Sequence, residues 1–355
     1  MIVPKPHLQS IERKPQFLTN RHGKIRLDFA ERTMDFSKEI LAKIRNSITS
    51  DLLNCYPELG DTYSLLAKWV DKDEDFIYLH AGAEQIIKNI FESYINPSDK
   101  VLLHYPSFAM YEIYSKLYQA TIIPVHSNEN AEFDWNQYIS AITSDNKLVV
   151  IENPSGRLGT VIPNKKLIEI LDITNKNGTI LILDETYFHF GSESYVDLID
   201  KYDNLFVIRS FSKAFGLAGL RAGMVISQTD NINQLKKFCP IFELNSVASL
   251  IIKELINNID SLQEYTQTVI KQRQEFLKKT IPLGIKVSES FANFVALKLG
   301  KNVILELRNE LKENNILIHK PYRESYLEDW LMMGIPDGET QGFVLKKIEM
   351  LTTKK

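Results

Sequence analysis

The segment Thr179-Ile180-Leu181-Ile182-Leu183-Asp184-Glu185-Thr186-Tyr187 is an unbroken apolar run that ends in acids. Strict alternation of apolar and polar residues marks a strand with one wet face. A run without alternation marks a strand buried on both faces, as in a parallel sheet covered by helices. Similar short runs lie on either side, at 101–104, 121–125, 148–152, 205–209 and 222–227. Helix-length amphipathic stretches separate them, at 83–95, 108–117, 165–176 and 195–201. This alternation predicts an α/β unit built on a mostly parallel sheet.

After about residue 235 the texture changes. Two long periodic stretches, 246–259 and 262–280, precede a strand-like 293–299, a helix-like 303–313, short strands at 316–319 and 330–334, and a last helix at 339–351. That order reads as a smaller α+β domain joined to the α/β one. The expected division is an N-terminal arm at 1–35, a large domain at 36–240 and a small C-terminal domain at 241–355.

The 355 residues are 44% hydrophobic and 25% charged, which excludes a disordered, collagen-like or membrane-embedded chain. Lysine and arginine number 42 against 45 acids, a formal net charge of −3. Such a balance offers no general attraction to nucleic acid or to an anionic membrane, but it permits local basic sites for small anions. The N-terminus has no apolar core of signal-peptide length, and no stretch reaches the roughly 20 apolar residues of a spanning helix. Two cysteines, Cys55 and Cys239, supply no disulfide framework, and the 7 histidines show no ligand spacing, so no metal is expected. A reducing, cytoplasmic setting is the simplest expectation.

The run at 205–209 leads into Arg209-Ser210-Phe211-Ser212-Lys213-Ala214-Phe215-Gly216 and on to Arg221. Lys213 therefore stands just beyond a strand's carboxyl end, where ligands bind in open α/β sheets. Two serine hydroxyls and a guanidinium can cradle a phosphate, and a lysine beside them can form a Schiff base. A lysine between serines can equally be a surface lysine. Asp184 at its strand end suits a metal ligand, a helix cap, a general base or the partner of a protonated pyridine nitrogen. Gly82-Ala83-Glu84 opens an amphipathic stretch with amides suited to an anion, and also suits an ordinary first helical turn. Phe108, in His104-Tyr105-Pro106-Ser107-Phe108, offers a ring to a planar cofactor or to the core.

Asp184-x-x-Tyr187 followed by Ser210-x-Ser212-Lys213 and Arg221 resembles the pyridoxal-phosphate enzymes of fold type I, the aspartate aminotransferase superfamily. Within it the chain is most similar to the branch of histidinol-phosphate aminotransferase and threonine-phosphate decarboxylase, from about Leu27 to the C-terminus. The resemblance implies a mostly parallel, seven-stranded sheet and a homodimer with shared active sites. Lys213 would form the Schiff base and shuttle the substrate's α-proton, Asp184 would pair with the pyridinium nitrogen, and Tyr187 would hydrogen-bond the phenolic oxygen. Ser210, Ser212, Arg221 and the turn Gly82-Ala83-Glu84 would hold the phosphate, with Phe108 stacked on the ring and Asn153 beside it. Tyr56 matches a family tyrosine that reaches the neighbouring subunit's phosphate. The implied activity moves an amino group between an amino acid and a small oxo compound, phosphorylated or not; decarboxylation or lysis of an amino acid or phospho-amino acid is the alternative.

The chain also departs from the family. The loop Asn-Pro-Asn-Asn-Pro-Thr-Gly reads Asn153-Pro154-Ser155-Gly156-Arg157-Leu158-Gly159 here, so the asparagine that serves the phenolic oxygen falls on Gly156. The arginine that clamps the substrate carboxylate aligns with Trp330. A buried carboxylate needs a charged partner. The candidates for a rebuilt anion site are Arg157, Arg32, His319, Lys320 and Arg323, with Arg157 open also to a solvated role, and Trp330, in the clamp's place, is expected at the substrate site.

Overall fold

The computed structural model describes residues 2–11 and 20–353. A short strand, β1 (Ile25–Leu27), precedes seven strands: β2 (Ile77–His80), β3 (Lys100–Tyr105), β4 (Thr121–His126), β5 (Asn146–Glu152), β6 (Ile180–Asp184), β7 (Leu205–Ser210) and β8 (Gly223–Ile226). These seven form one sheet in the order β2-β8-β7-β6-β5-β3-β4. Pairing is parallel from β7 through β6, β5 and β3 to β4, while β8 runs antiparallel to both β7 and β2. The apolar runs are strands because both faces are covered: alternate residues of β5, β6 and β7 enter two separate hydrophobic cores, one on each side.

Two local expectations are corrected. The stretch 195–201 forms no α-helix; Val196–Asp200 is a 3-10 turn. The buried Glu185 carboxylate explains it, accepting from the Tyr195 amide and the Ser194 hydroxyl and so pinning the segment's entry. Strand β2 was not anticipated. Its four residues are all buried, at a sheet edge, and too few to stand out from the helix signal that follows.

The remaining strands are β9 (Lys286–Val287), β10 (Phe294–Lys298), β11 (Ile316–Ile318) and β12 (Trp330–Gly334). β10 pairs antiparallel with β12 and β9. β1 pairs in parallel with β11, Ile25 opposite Ile316, and the Leu27 backbone passes against Gly334. This pairing carries the next residues, 28–32, over the carboxyl edge of the seven-stranded sheet. No helix among the described residues is long and apolar enough to cross a membrane.

Candidate active site

β2, β3, β5, β6 and β7 all end on one edge of the sheet, and a cavity of about 290 Å³ opens there. Lys213 sits in the turn after β7, its Nζ donating to the Phe29 carbonyl at 2.8 Å and standing 5.4 Å from the centre of the Tyr187 ring. Burial lowers the Lys213 pKa to about 8, against the opposing pull of Glu31. Asp184 ends β6; its Oδ2 accepts from the Tyr111 hydroxyl at 2.8 Å and its Oδ1 from the Thr186 amide at 3.0 Å. Burial first, and then the neighbouring Glu152 charge, push the Asp184 pKa up to about 6.

At the other end of the cavity the helix Ala83–Tyr94 starts at Gly82, whose φ of 92° favours glycine. A Cβ on Gly82 would lie 2.8 Å from Arg221 Nη2, and one on Gly223 would lie 2.3 Å from the Ala83 nitrogen. The two glycines thus let the helix start, where backbone amides face out of the helix end, approach the guanidinium. Arg221 Nη1 is 3.5 Å from Ser212 Oγ, the Ser212 amide donates to Ser210 Oγ, and Glu84 Oε2 lies 4.0 Å from Arg221 Nη2. Phe108 lines the space between the two ends and is 39% exposed, so the core-packing alternative fails.

These features fit pyridoxal phosphate. A cradle of hydroxyls, amides and a guanidinium, kept open by two glycines, suits a phosphate. A buried aspartate whose charge burial disfavours suits a cationic ring nitrogen, which would restore its ionised form. An amine with a lowered pKa lies between them.

Other anticipated residues stand elsewhere. Asn153 is not among the residues lining the cavity; its Oδ1 accepts from the Ile162 amide and shapes the loop. Tyr56 is 76% exposed and stacks on Phe242 away from the cavity. Arg32 lies over the rings of Tyr265 and Phe36, its Nε donating to the Met34 carbonyl, so it packs rather than faces the cavity. His319 is held neutral, its pKa lowered to about 4 by burial; its Nδ1 is bonded to the Lys320 carbonyl and its ring meets Phe29 edge-on. Lys320 and Arg323 are exposed and outside the lining.

Trp330 requires a correction. It is fully buried and its indole N–H donates to the Glu129 carbonyl, away from the cavity. The β12 residue that meets the loop after β5 is Met332, whose sulfur lies 3.8 Å from Arg157 Nη1. The Arg157 guanidinium stacks over the Tyr322 ring at 4.8 Å, and no carboxylate among the described residues forms an ion pair with it. Arg157 is itself not among the residues lining the cavity, but its guanidinium reaches β12 from the loop rather than from the strand.

Several cavity residues carried no assigned role in the sequence. Tyr111 stands one helical turn after Phe108, a spacing that could have linked them. Glu152 and Asp184 are register partners on adjacent parallel strands, so both carboxyls emerge on one face. Two apolar runs that each end in an acid were the available signal. Arg21 bonds Asp28 at 2.5 Å and Glu31 at 2.9 Å, and with Phe29 and Glu31 it lines the cavity.

Comparison with known proteins agrees with this geometry. The chain is 30% identical over 330 residues to histidinol-phosphate aminotransferase from Thermoanaerobacter pseudethanolicus, covering 92% of each. The fold matches histidinol-phosphate aminotransferase from Sinorhizobium meliloti in complex with pyridoxal-5'-phosphate, with a TM-score of 0.86 and 20% identity over 98% of this chain and 97% of that one. It also matches L-threonine-O-3-phosphate decarboxylase from Porphyromonas gingivalis, with a TM-score of 0.80 and 20% identity over 93% and 100%. Residues 33–341 match the family described as aminotransferase class I and II. The chain belongs to that family, whose members are pyridoxal-phosphate-dependent enzymes.

Proposed function

We propose that this chain transfers an amino group between an amino acid and a small phosphorylated oxo compound, with Lys213 as the lysine that bonds the cofactor. The observation that carries the reading is the Lys213 amine, with its pKa lowered to about 8, set between Asp184 and the cradle of Ser210, Ser212 and Arg221. Relatives named histidinol-phosphate aminotransferase support the phosphorylated oxo compound.

Bound there, pyridoxal phosphate supplies an aldehyde carbon for amines and a ring that takes up the electron pair left at the substrate's α-carbon. Ser210, Ser212, Arg221 and the helix start at Gly82 and Ala83 would hold its phosphate. Asp184 keeps the ring nitrogen protonated, and Tyr111 and Thr186 fix that carboxylate by donating to it. Phe108 and Tyr187, both in the cavity lining, would contact the ring and its phenolic oxygen. Lys213 takes the α-proton and returns it, and a pKa near the working pH lets it do both. The substrate carboxylate is received by Arg157.

One observation favours a second reading, decarboxylation. The guanidinium comes from the loop and not from β12, which can rotate the carboxylate about the α-carbon. The bond that breaks is the one aligned with the ring's π-system. The test is to reconstitute the protein with pyridoxal phosphate and follow colour, keto product and CO₂. A visible band lost in Lys213→Ala, with keto product from an amino donor, is expected. A colourless protein overturns the cofactor assignment; CO₂ release without keto product overturns transamination.

We also propose a homodimer with shared sites, in a reducing cytoplasmic setting that suits the free Cys55 and Cys239. The division into a cofactor-binding part at 36–240 and a smaller part at 241–355 is supported by the seven-stranded sheet lying within the first and β9 to β12 within the second.

A further inference from the structure

Glu152 is buried in the cavity wall and has no role in the reading above. Its Oε1 already accepts two donors, the Ser107 hydroxyl at 2.5 Å and the Phe108 amide at 2.8 Å. Its Oε2 accepts one, the Gly156 amide at 2.8 Å. The less occupied oxygen is the one next to Tyr187: the point where a Gly156 Cβ would sit is 2.5 Å from Oε2 and 3.7 Å from Tyr187 Cε2. Gly156 has no positive φ, so the backbone would accept another residue there. What excludes one is the Glu152 carboxyl, which fills the space that a side chain at 156 would use.

We propose that Glu152 is a neutral acid that donates a hydrogen bond from Oε2 to the cofactor's phenolic oxygen, beside Tyr187. The proposal rests on the cofactor reading above. Burial favours the protonated form of Glu152, and the Ser107, Phe108 and Gly156 donors pull the other way. His104 from β3 is neutral, and its Nε2 accepts from the Glu152 amide. Tyr111 and Tyr138, from the helices Ala109–Leu117 and Trp135–Ser140, are buried and uncharged, as is Tyr187. Asp184 on β6 is a negative neighbour, Arg157 on the loop after Glu152 is a cation that opposes it, and Lys213 faces the same cavity from the turn after β7. A cationic ring nitrogen keeps Asp184 ionised. Two carboxyls sharing a buried wall do not both ionise easily, so Glu152 is the one that keeps its proton.

The test uses the protein loaded with pyridoxal phosphate and reads two quantities, the pH midpoint of the visible band and the cofactor dissociation constant. A donor to the phenolic oxygen weakens that oxygen's hold on the proton shared with the adjacent imine nitrogen. Losing the donor therefore raises the midpoint. Glu152→Gln keeps a neutral donor and should leave the midpoint within about half a unit of wild type, at the expense of the Gly156 amide's acceptor. Glu152→Ala should raise it by about one unit and weaken cofactor binding about tenfold. The double variant Glu152→Ala, Gly156→Asn puts an amide in the same space and should bring both values back toward wild type. A midpoint that falls by about one unit in Glu152→Gln overturns the proposal, because it means that the native carboxyl is charged. An unchanged midpoint in Glu152→Ala overturns it as well. If Glu152→Ala does not fold, Glu152→Gln and the double variant decide. A wild-type protein that never takes up colour defeats the cofactor reading itself, a different result.

Discussion

A lysine that loses its proton at about 8 instead of 10.5 is a different reagent at neutral pH. The free amine is the nucleophile, and below the pKa its fraction falls about tenfold for each pH unit. The rate at which apoprotein regains colour on mixing with pyridoxal phosphate should therefore rise to about pH 8 and then level off. A rate that climbs steadily to pH 10 would mark Lys213 as an ordinary lysine. Arg157 has a different dependence. Its guanidinium contacts a sulfur and a ring, so its removal breaks no ion pair among the described residues. Arg157→Ala should leave the visible band intact and lower kcat/KM about ten- to hundredfold, the usual worth of a charged hydrogen bond. Arg157→Lys should recover little, because an ammonium does not reproduce a planar, two-point contact. Unchanged kinetics in Arg157→Ala would return it to the solvated role.

At the scale of elements, most local signals were legible, while the short β2 and the 3-10 turn at Val196–Asp200 were not. The runs that became β3 and β5 to β8 were legible because a strand buried on both faces has no polar positions to confuse the pattern, while the edge strand β4 is largely exposed. The motif around Lys213 was legible because its residues follow one strand within a single turn. What remained hidden depends on partners far away in the chain. β1 exists because β11, some 290 residues later, pairs with it, and only that pairing brings Phe29 and Glu31 to Lys213. On β12, a period of two places Trp330 and Met332 on one face but does not say which of them reaches Arg157. Glu152 is a similar case. Its acid was visible, but its meaning needed the β5–β6 register and the missing Cβ at 156.

At the scale of the whole molecule, the residue left unexplained by one chain is Tyr56. It is 76% exposed, stacked at 4.2 Å on Phe242, next to Ile241 at 89% exposure and close in sequence to the exposed Leu53. Scattered exposed apolar residues are normal, but a stacked pair with further apolar neighbours is the kind of surface that a partner covers. In the dimer reading, Tyr56 reaches the other copy's phosphate cradle, so assembly and cofactor retention are coupled. The two parts separate experimentally. Ile241→Asp puts a charge into the contact without touching the buried core, and should shift the protein from dimer to monomer in light scattering while weakening cofactor retention. Tyr56→Phe keeps the ring and loses only the hydroxyl, and should remain a dimer with cofactor binding weakened about tenfold, as for one lost hydrogen bond to a charged group. A monomeric wild type, or an Ile241→Asp variant that stays dimeric, would remove this surface from the interface; a Tyr56→Phe variant with unchanged cofactor affinity would confine Tyr56 to packing.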